Sequence, residues 1–212
     1  MDGVNNLGTR QRKKAGTRAA LLESAKTLFE RQGFSHTTIQ QIADSADVSE
    51  RTFFRYFQSK DDLLLPQFRT FLDDVASEFE ASSFDSTPLQ TLCESVVVVV
   101  ARDIADGNFL PVTFPETWSE TATARVAIYF IDWERRIAGV IRDRIASVDP
   151  GLEDLDLVAS VAAKCGVAAM RSTMEALRSG GAQRVSDPVR SLTILRRAFE
   201  ITESLITLPS KA

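Results

Sequence analysis

At 212 residues, with 44% hydrophobic and 25% charged residues, the chain suits one large domain, or a small one plus a larger one. This ordinary composition excludes a disordered or collagen-like polymer. The net charge of -4 hides an asymmetry: residues 1–60 carry ten Lys/Arg against six Asp/Glu, and the remainder carries 15 against 23.

A basic head on an acidic body points to a polyanionic partner, with merely solvated charge as the alternative. The N-terminal "MDGVNNLGTRQRKKAG" is polar and basic, unlike a signal peptide. Its basic cluster reads as a flexible arm over residues 1–14, either reaching toward a DNA minor groove or keeping the end soluble. The longest apolar run, "VVVVVA" at 96–101, is too short for a bilayer, so no membrane partner and a cytoplasmic location are expected. Cys93 and Cys165 lack metal-ligand spacing and read as free thiols, with neither metal nor cofactor implied.

The apolar periodicity is helical nearly throughout, and the fold class expected is all-α. Leu21, Ala25, Leu28 and Phe29 form a stripe over 18–32, which Gly33 stops. Thr38 starts a short second helix with Ile39, Ile42, Ala43 and Ala46 on one face. Asp47 and Val48 make a tight turn, and Ser49 caps a helix at 50–57. Ser59 and Asp62 have the form of a capping box opening a helix to about residue 81, with a kink or an altered first turn expected at Pro66 inside it. A connector at 82–88 leads to a helix at 88–106. Residues 107–117 read as irregular with a short helix. Helices follow at 119–147, 153–178 and 187–207, the last with Asp187 as N-cap and Pro188 at its first position.

The segment 50–57 contains "RTFFRYF", with four aromatics in five positions. At about 100° per residue, Phe53 and Phe57 point the same way and Arg55 points nearly opposite. Arg51 and Thr52 flank Arg55, while Phe54 and Tyr56 border that polar face. Three short helices with a tight turn before the third describe a helix-turn-helix. Arg51 and Arg55 suit bidentate bonds to guanine or phosphate, and Thr52 a thymine methyl or a phosphate. Tyr56 and Lys60 are placed for the DNA backbone, and Thr37 and Thr38 for a phosphate.

"TTIQQIADSADVSERTFFRYFQSKDDLL" resembles the signature of TetR-family bacterial transcription regulators, over roughly residues 15–65. The form "RTFFRYF" is also similar to an actinobacterial-looking subgroup, some members of which answer acyl-CoA-like ligands. The resemblance implies a three-helix head at 15–60 joined to a helical ligand-binding and dimerisation body at 61–212. It implies a homodimer on a palindromic double-stranded operator, acting as a repressor that a small, partly apolar effector releases. Thr38, Tyr56 and Lys60 match the family's backbone-contact positions; Gln40, Arg51, Thr52 and Arg55 match base or phosphate positions; Ser49 and Phe54 belong to the same DNA-contact set. Asp47 stands where the family often has Gly, Phe54 where a Tyr is common, and Arg51 where a Gly is frequent.

For the body, dimerisation is expected through 153–178 and 187–207. The first carries the stripe Leu155, Val158, Ala159, Ala162, Gly166, Ala169, Met170, Thr173 and Leu177, and the second Leu192, Leu195, Phe199, Leu205 and Ile206; paired with its symmetry mate this hairpin would build a four-helix interface, the alternative being packing within the chain alone. Phe109, Phe114, Trp118, Tyr129, Phe130, Trp133 and Met170 are candidate walls of an effector pocket, or ordinary core. An enzyme is not expected. His36 is the sole histidine, and no nucleophile elbow or Gly-rich phosphate loop is present. The rival function is a helical interaction module without sequence-specific DNA binding.

Overall fold

A computed structural model describes residues 3–106, 119–178 and 188–206. Among these, the regular structure is wholly helical: α1 (Gly3–Gln32), α2 (Ile39–Ser45), α3 (Glu50–Tyr56), a 3-10 turn (Asp61–Leu63), α4 (Leu65–Ala81), α5 (Pro88–Ala105), α6 (Glu120–Val148), α7 (Leu155–Arg178) and α8 (Pro188–Ile206). The first three make the head. The others form the body, in which α6 packs on α7, α7 on α8, and α4 on both α5 and α6.

Helix α1 is longer than its apolar stripe. Leu21, Ala25 and Phe29 are buried, yet the helix begins at Gly3, so the stretch read as a flexible arm is helical from there. Gly33 ends it at φ 81°, in the left-handed region that glycine enters freely. Asp47 makes the corresponding turn before α3 at φ 53°, a conformation its short side chain tolerates.

Of the two outcomes expected at Pro66, the structure has the altered first turn and not a kink inside a helix. A 3-10 turn intervenes after Lys60, and Pro66 falls in the first turn of α4, where its missing N–H costs nothing. Asp62 is not the partner of Ser59 in a capping box. Its buried carboxylate accepts from Gln58 N (2.8 Å) and from Arg125 Nη1 of α6 (3.2 Å). Beside it, Asp61 accepts from the Ser119 amide (2.7 Å), and the Ser59 and Ser119 hydroxyls lie 3.3 Å apart. The turn between head and body is therefore tied to the start of α6.

One apolar core runs through both parts, from Leu21, Phe53 and Phe57 through Phe68 and Phe79 to Val99, Ile137 and Phe199. Helix α4 carries it across, burying Phe68, Phe71, Leu72, Val75, Ala76 and Phe79. Arg136 of α6 forks onto both carboxylate oxygens of Glu80 (2.7 and 2.8 Å), fixing α6 to the far end of α4.

The stripe on α7 is largely spent inside the chain. Ala159, Ala169, Met170, Thr173 and Leu177 are buried, and Gly166 sits so close to α5 that a Cβ there would lie 2.5 Å from Leu92 Cδ2. At Gly166 the small residue admits α5 of the same chain. The exposed large apolar residues of the pair are mostly others: Leu157, Val158 and Val161 on α7, and Val189, Ile201 and Leu205 on α8. Of the sequence-derived set, only Val158 and Leu205 belong to this outer group. Leu192, Leu195 and Phe199 pack inward. The side chain of Ile206 is outside the described residues, as are 107–118 and 179–187, which contain Phe109, Phe114, Trp118 and Asp187.

Candidate nucleic-acid interface

A seven-residue helix does not hold itself together in water. Helix α3 is held from one side. Phe53 is fully buried and Phe57 nearly so, their rings 5.6 Å apart, and Arg18 of α1 covers the Phe57 ring at 5.4 Å. Ser49 caps the start, its hydroxyl accepting from Thr52 N (3.2 Å) and lying 3.0 Å from the Thr52 hydroxyl. With that face and that end fixed, Arg51, Phe54 and Arg55 are exposed together; Phe54 is 52% accessible although it is a large apolar ring.

Arg55 lies over the ring of Tyr56 at 5.1 Å, with its Nη2 donating toward the phenolic oxygen at 3.4 Å. That hydrogen bond lowers the pKa of Tyr56. Partial burial opposes it, and Thr17 and Lys14 of α1 act with Arg55. The basic stretch of α1 thus runs beside the end of α3, and one surface carries Lys14, Arg51, Arg55 and Tyr56.

Helix α2 supplies the second edge. Thr38 is its N-cap in a reciprocal capping box: its hydroxyl accepts from Gln41 N (3.2 Å) and its amide donates to Gln41 Oε1 (2.9 Å). Gln40 is exposed and donates to Asp44 (2.8 Å). His36 is exposed in the preceding loop.

Two of the sequence-derived contacts are turned inward. Thr37 is 1% accessible, and its hydroxyl donates to Gly33 O (2.8 Å) and accepts from Gln32 Nε2 (3.3 Å). Lys60 donates to the carbonyls of Phe34 (2.7 Å) and Thr37 (2.8 Å), with its ammonium 4.1 Å above the Phe34 ring. Burial lowers its pKa, partly offset by Asp61. Both side chains hold the α1–α2 loop in place. Sequence reasoning missed this because the partners lie up to 26 positions away.

In the body, an apolar cavity of about 40 Å³ lies between α4, α5, α7 and α8, with Phe68, Phe71, Val96, Met170, Ser191 and Leu192 among its walls. Of the described pocket candidates, only Met170 lines it. Tyr129, Phe130 and Trp133 belong to α6; Tyr129 and Phe130 pack on Phe68, Phe130 edge-on at 5.4 Å, and Trp133 packs on Phe130. Among the described residues, no group of His, Cys, Asp and Glu could hold a metal ion, and no helix is long and apolar enough to cross a membrane. Burial pushes the Cys93 thiol up to about 11.

Residues 21–65 match the family described as bacterial regulatory proteins, tetR family. The regulator TcmR of Streptomyces glaucescens is 37% identical over 104 residues, covering 49% of this chain and 46% of TcmR. HbdR of Aromatoleum sp. (strain CIB) is 32% identical over 135 residues, covering 63% and 58%. The chain thus spans about half the length of the curated relatives it matches. In fold, it is similar to FadR of Thermus thermophilus, a TetR-family transcriptional repressor solved in complex with lauroyl-CoA. The TM-score is 0.61 at 18% identity, over 92% of this chain and 97% of that one.

The geometry of Lys60 yields a test. Lys60→Met should cost the head about 1–2 kcal/mol through the lost charge-assisted bonds, seen as faster amide exchange at 34–38. The slope of DNA affinity against salt should stay that of the unaltered chain. A slope smaller by about one would instead place Lys60 on a phosphate.

Proposed function

We propose that this chain, which belongs through its head to the tetR family of bacterial regulatory proteins, is a ligand-responsive transcriptional regulator that binds double-stranded DNA as a homodimer. The observation that carries the reading is the two-faced α3. Buried Phe53 and Phe57 fix one side, and the other presents Arg51 and Arg55 with Gln40 of α2 nearby in the head. An α-helix of this kind fits the major groove, where an arginine fork matches guanine O6 and N7. Thr38, Ser49, Thr52 and Tyr56 border the same surface and would meet phosphates and sugar, which set register rather than sequence preference.

The outer apolar residues of α7 and α8 support the dimer. Leu157, Val161, Ile201 and Leu205 are each 46% accessible or more, and a four-helix interface with a second copy would cover them. Two recognition helices related by that symmetry would read a palindrome with half-sites about one DNA turn apart.

Control is read from α4. Phe68 and Phe71 wall the cavity, and the turn leading into the same helix carries the head. A molecule that enlarges the cavity would displace α4 and the joint at Asp61 and Asp62, changing the spacing of the heads. Repression relieved by an apolar effector is the mode proposed. The cavity would take an acyl chain or another apolar body, and its described lining offers no cation for a phosphate-bearing head group.

Arg55→Ala should weaken binding to a duplex selected from random sequence by roughly 1–3 kcal/mol. Equal affinity at moderate salt would remove Arg55 from the contact set. Binding without salt dependence in the unaltered chain would favour an interaction module that does not read DNA. Val161→Glu should convert a sedimenting dimer into a monomer, with operator affinity falling in step; a dimer that survives the charge would place the interface elsewhere.

A further inference from the structure

Among the described residues, two buried polar side-chain atoms lack a hydrogen-bond partner: Trp133 Nε1 and Ser191 Oγ. Trp133 is not among the described walls of the apolar cavity, whereas Ser191 is one of them, at 5% accessibility. A buried hydroxyl without a partner is costly, so an orphan of this kind calls for an explanation.

Water is a poor one. The cavity's volume of about 40 Å³ exceeds the space one water needs, but a buried water holds its place through two to four polar partners. The nearby hydroxyl of Thr173 already donates to Ala169 O (2.8 Å), and the remaining described walls are Phe, Val, Leu and Met side chains. A water there would have only Ser191 and the acceptor side of Thr173 as side-chain partners among the described walls, the fewest that hold one, whereas the oxygen of a larger guest needs Ser191 alone. A charged guest fares worse, since no lysine, arginine or carboxylate is among the described walls and an unpaired ion in such a site costs many times a hydrogen bond. Met170 and Met174 have flexible thioether side chains that can make way for a body larger than the cavity now admits.

We infer that the effector is an uncharged, largely apolar molecule carrying one hydroxyl or carbonyl oxygen, bound with that oxygen on Ser191 Oγ. Ser191 sets the specificity of the pocket: it accepts molecules that complete its hydrogen bond and tells them from hydrocarbons of the same shape. The inference rests on the effector-bearing body proposed above. It narrows the class of effector from "partly apolar" to neutral and singly oxygenated.

Phenol, toluene and benzoate test it on the full chain, because they share a ring and differ in the one substituent. In calorimetric or NMR titrations, the unaltered protein should bind phenol roughly three- to tenfold more tightly than toluene, the worth of one net hydrogen bond. Benzoate should not bind at concentrations that saturate with phenol. Ser191→Ala should bring phenol and toluene within about twofold of each other. It should also unfold at the same temperature as the unaltered protein or higher, because the lost hydroxyl had no partner. A phenol preference that survives Ser191→Ala, benzoate binding comparable to phenol, or no binding of any of the three would each overturn the inference. Duplex binding measured in parallel separates the two levels. Phenol that binds through Ser191 without weakening the DNA complex leaves the pocket chemistry standing and contradicts the effector reading alone.

Discussion

The structure depends on how a helix of seven residues is held still. Helix α3 is too short to be stable by its own hydrogen bonds, so its position is set by what it buries. Phe53, with no accessible surface, is the anchor; Phe57 closes the helix at its C-cap, beneath Arg18. Helical geometry then leaves no choice about the opposite side. With Phe53 inward, Arg55 is outward. The rest of the head serves that placement: the capping box of α2, the cap at Ser49, and Lys60 bracing the α1–α2 loop from its far side.

The same economy links the head to the body. Phe68 belongs at once to the core shared with the head, to the aromatic cluster with Phe130, and to the wall of the cavity. Change at any of these three places reaches the others through one side chain. The joint before α4 is also stiff. Asp62 is buried with its carboxylate held by a backbone amide and by Arg125, and removing either partner would strand a charge away from water. In the proposed mode of control, this joint is what would carry a displacement of α4 or α6 to the head.

The two faces of "RTFFRYF" were legible from the sequence because burial there follows the 100° rotation alone. The turn at Asp47 and the caps at Thr38 and Ser49 were legible for a similar reason, being chemistry among near neighbours. What depended on distant partners was not. Lys60 has the charge of a phosphate contact, and only the fold brings the carbonyls of Phe34 and Thr37 to it. At Pro66 the sequence left a kink and an altered first turn both open, because the 3-10 turn that moves the helix start to Leu65 carries no apolar signature. The small residues of α7 marked a close helix approach, but periodicity does not say whose helix approaches; Leu92 of the same chain occupies that place. Ser191 gave no signal at all, since a serine near the start of a helix is ordinary until its surroundings are known to be apolar.

The central claim is that the outer face of α3 enters the major groove in two copies. Methylation interference on a duplex selected by the full chain tests it most directly. The account predicts that methylating guanine N7 blocks binding in two patches about ten base pairs apart, centre to centre. Interference confined to adenine N3 in the minor groove, or a single unpaired patch, would contradict it.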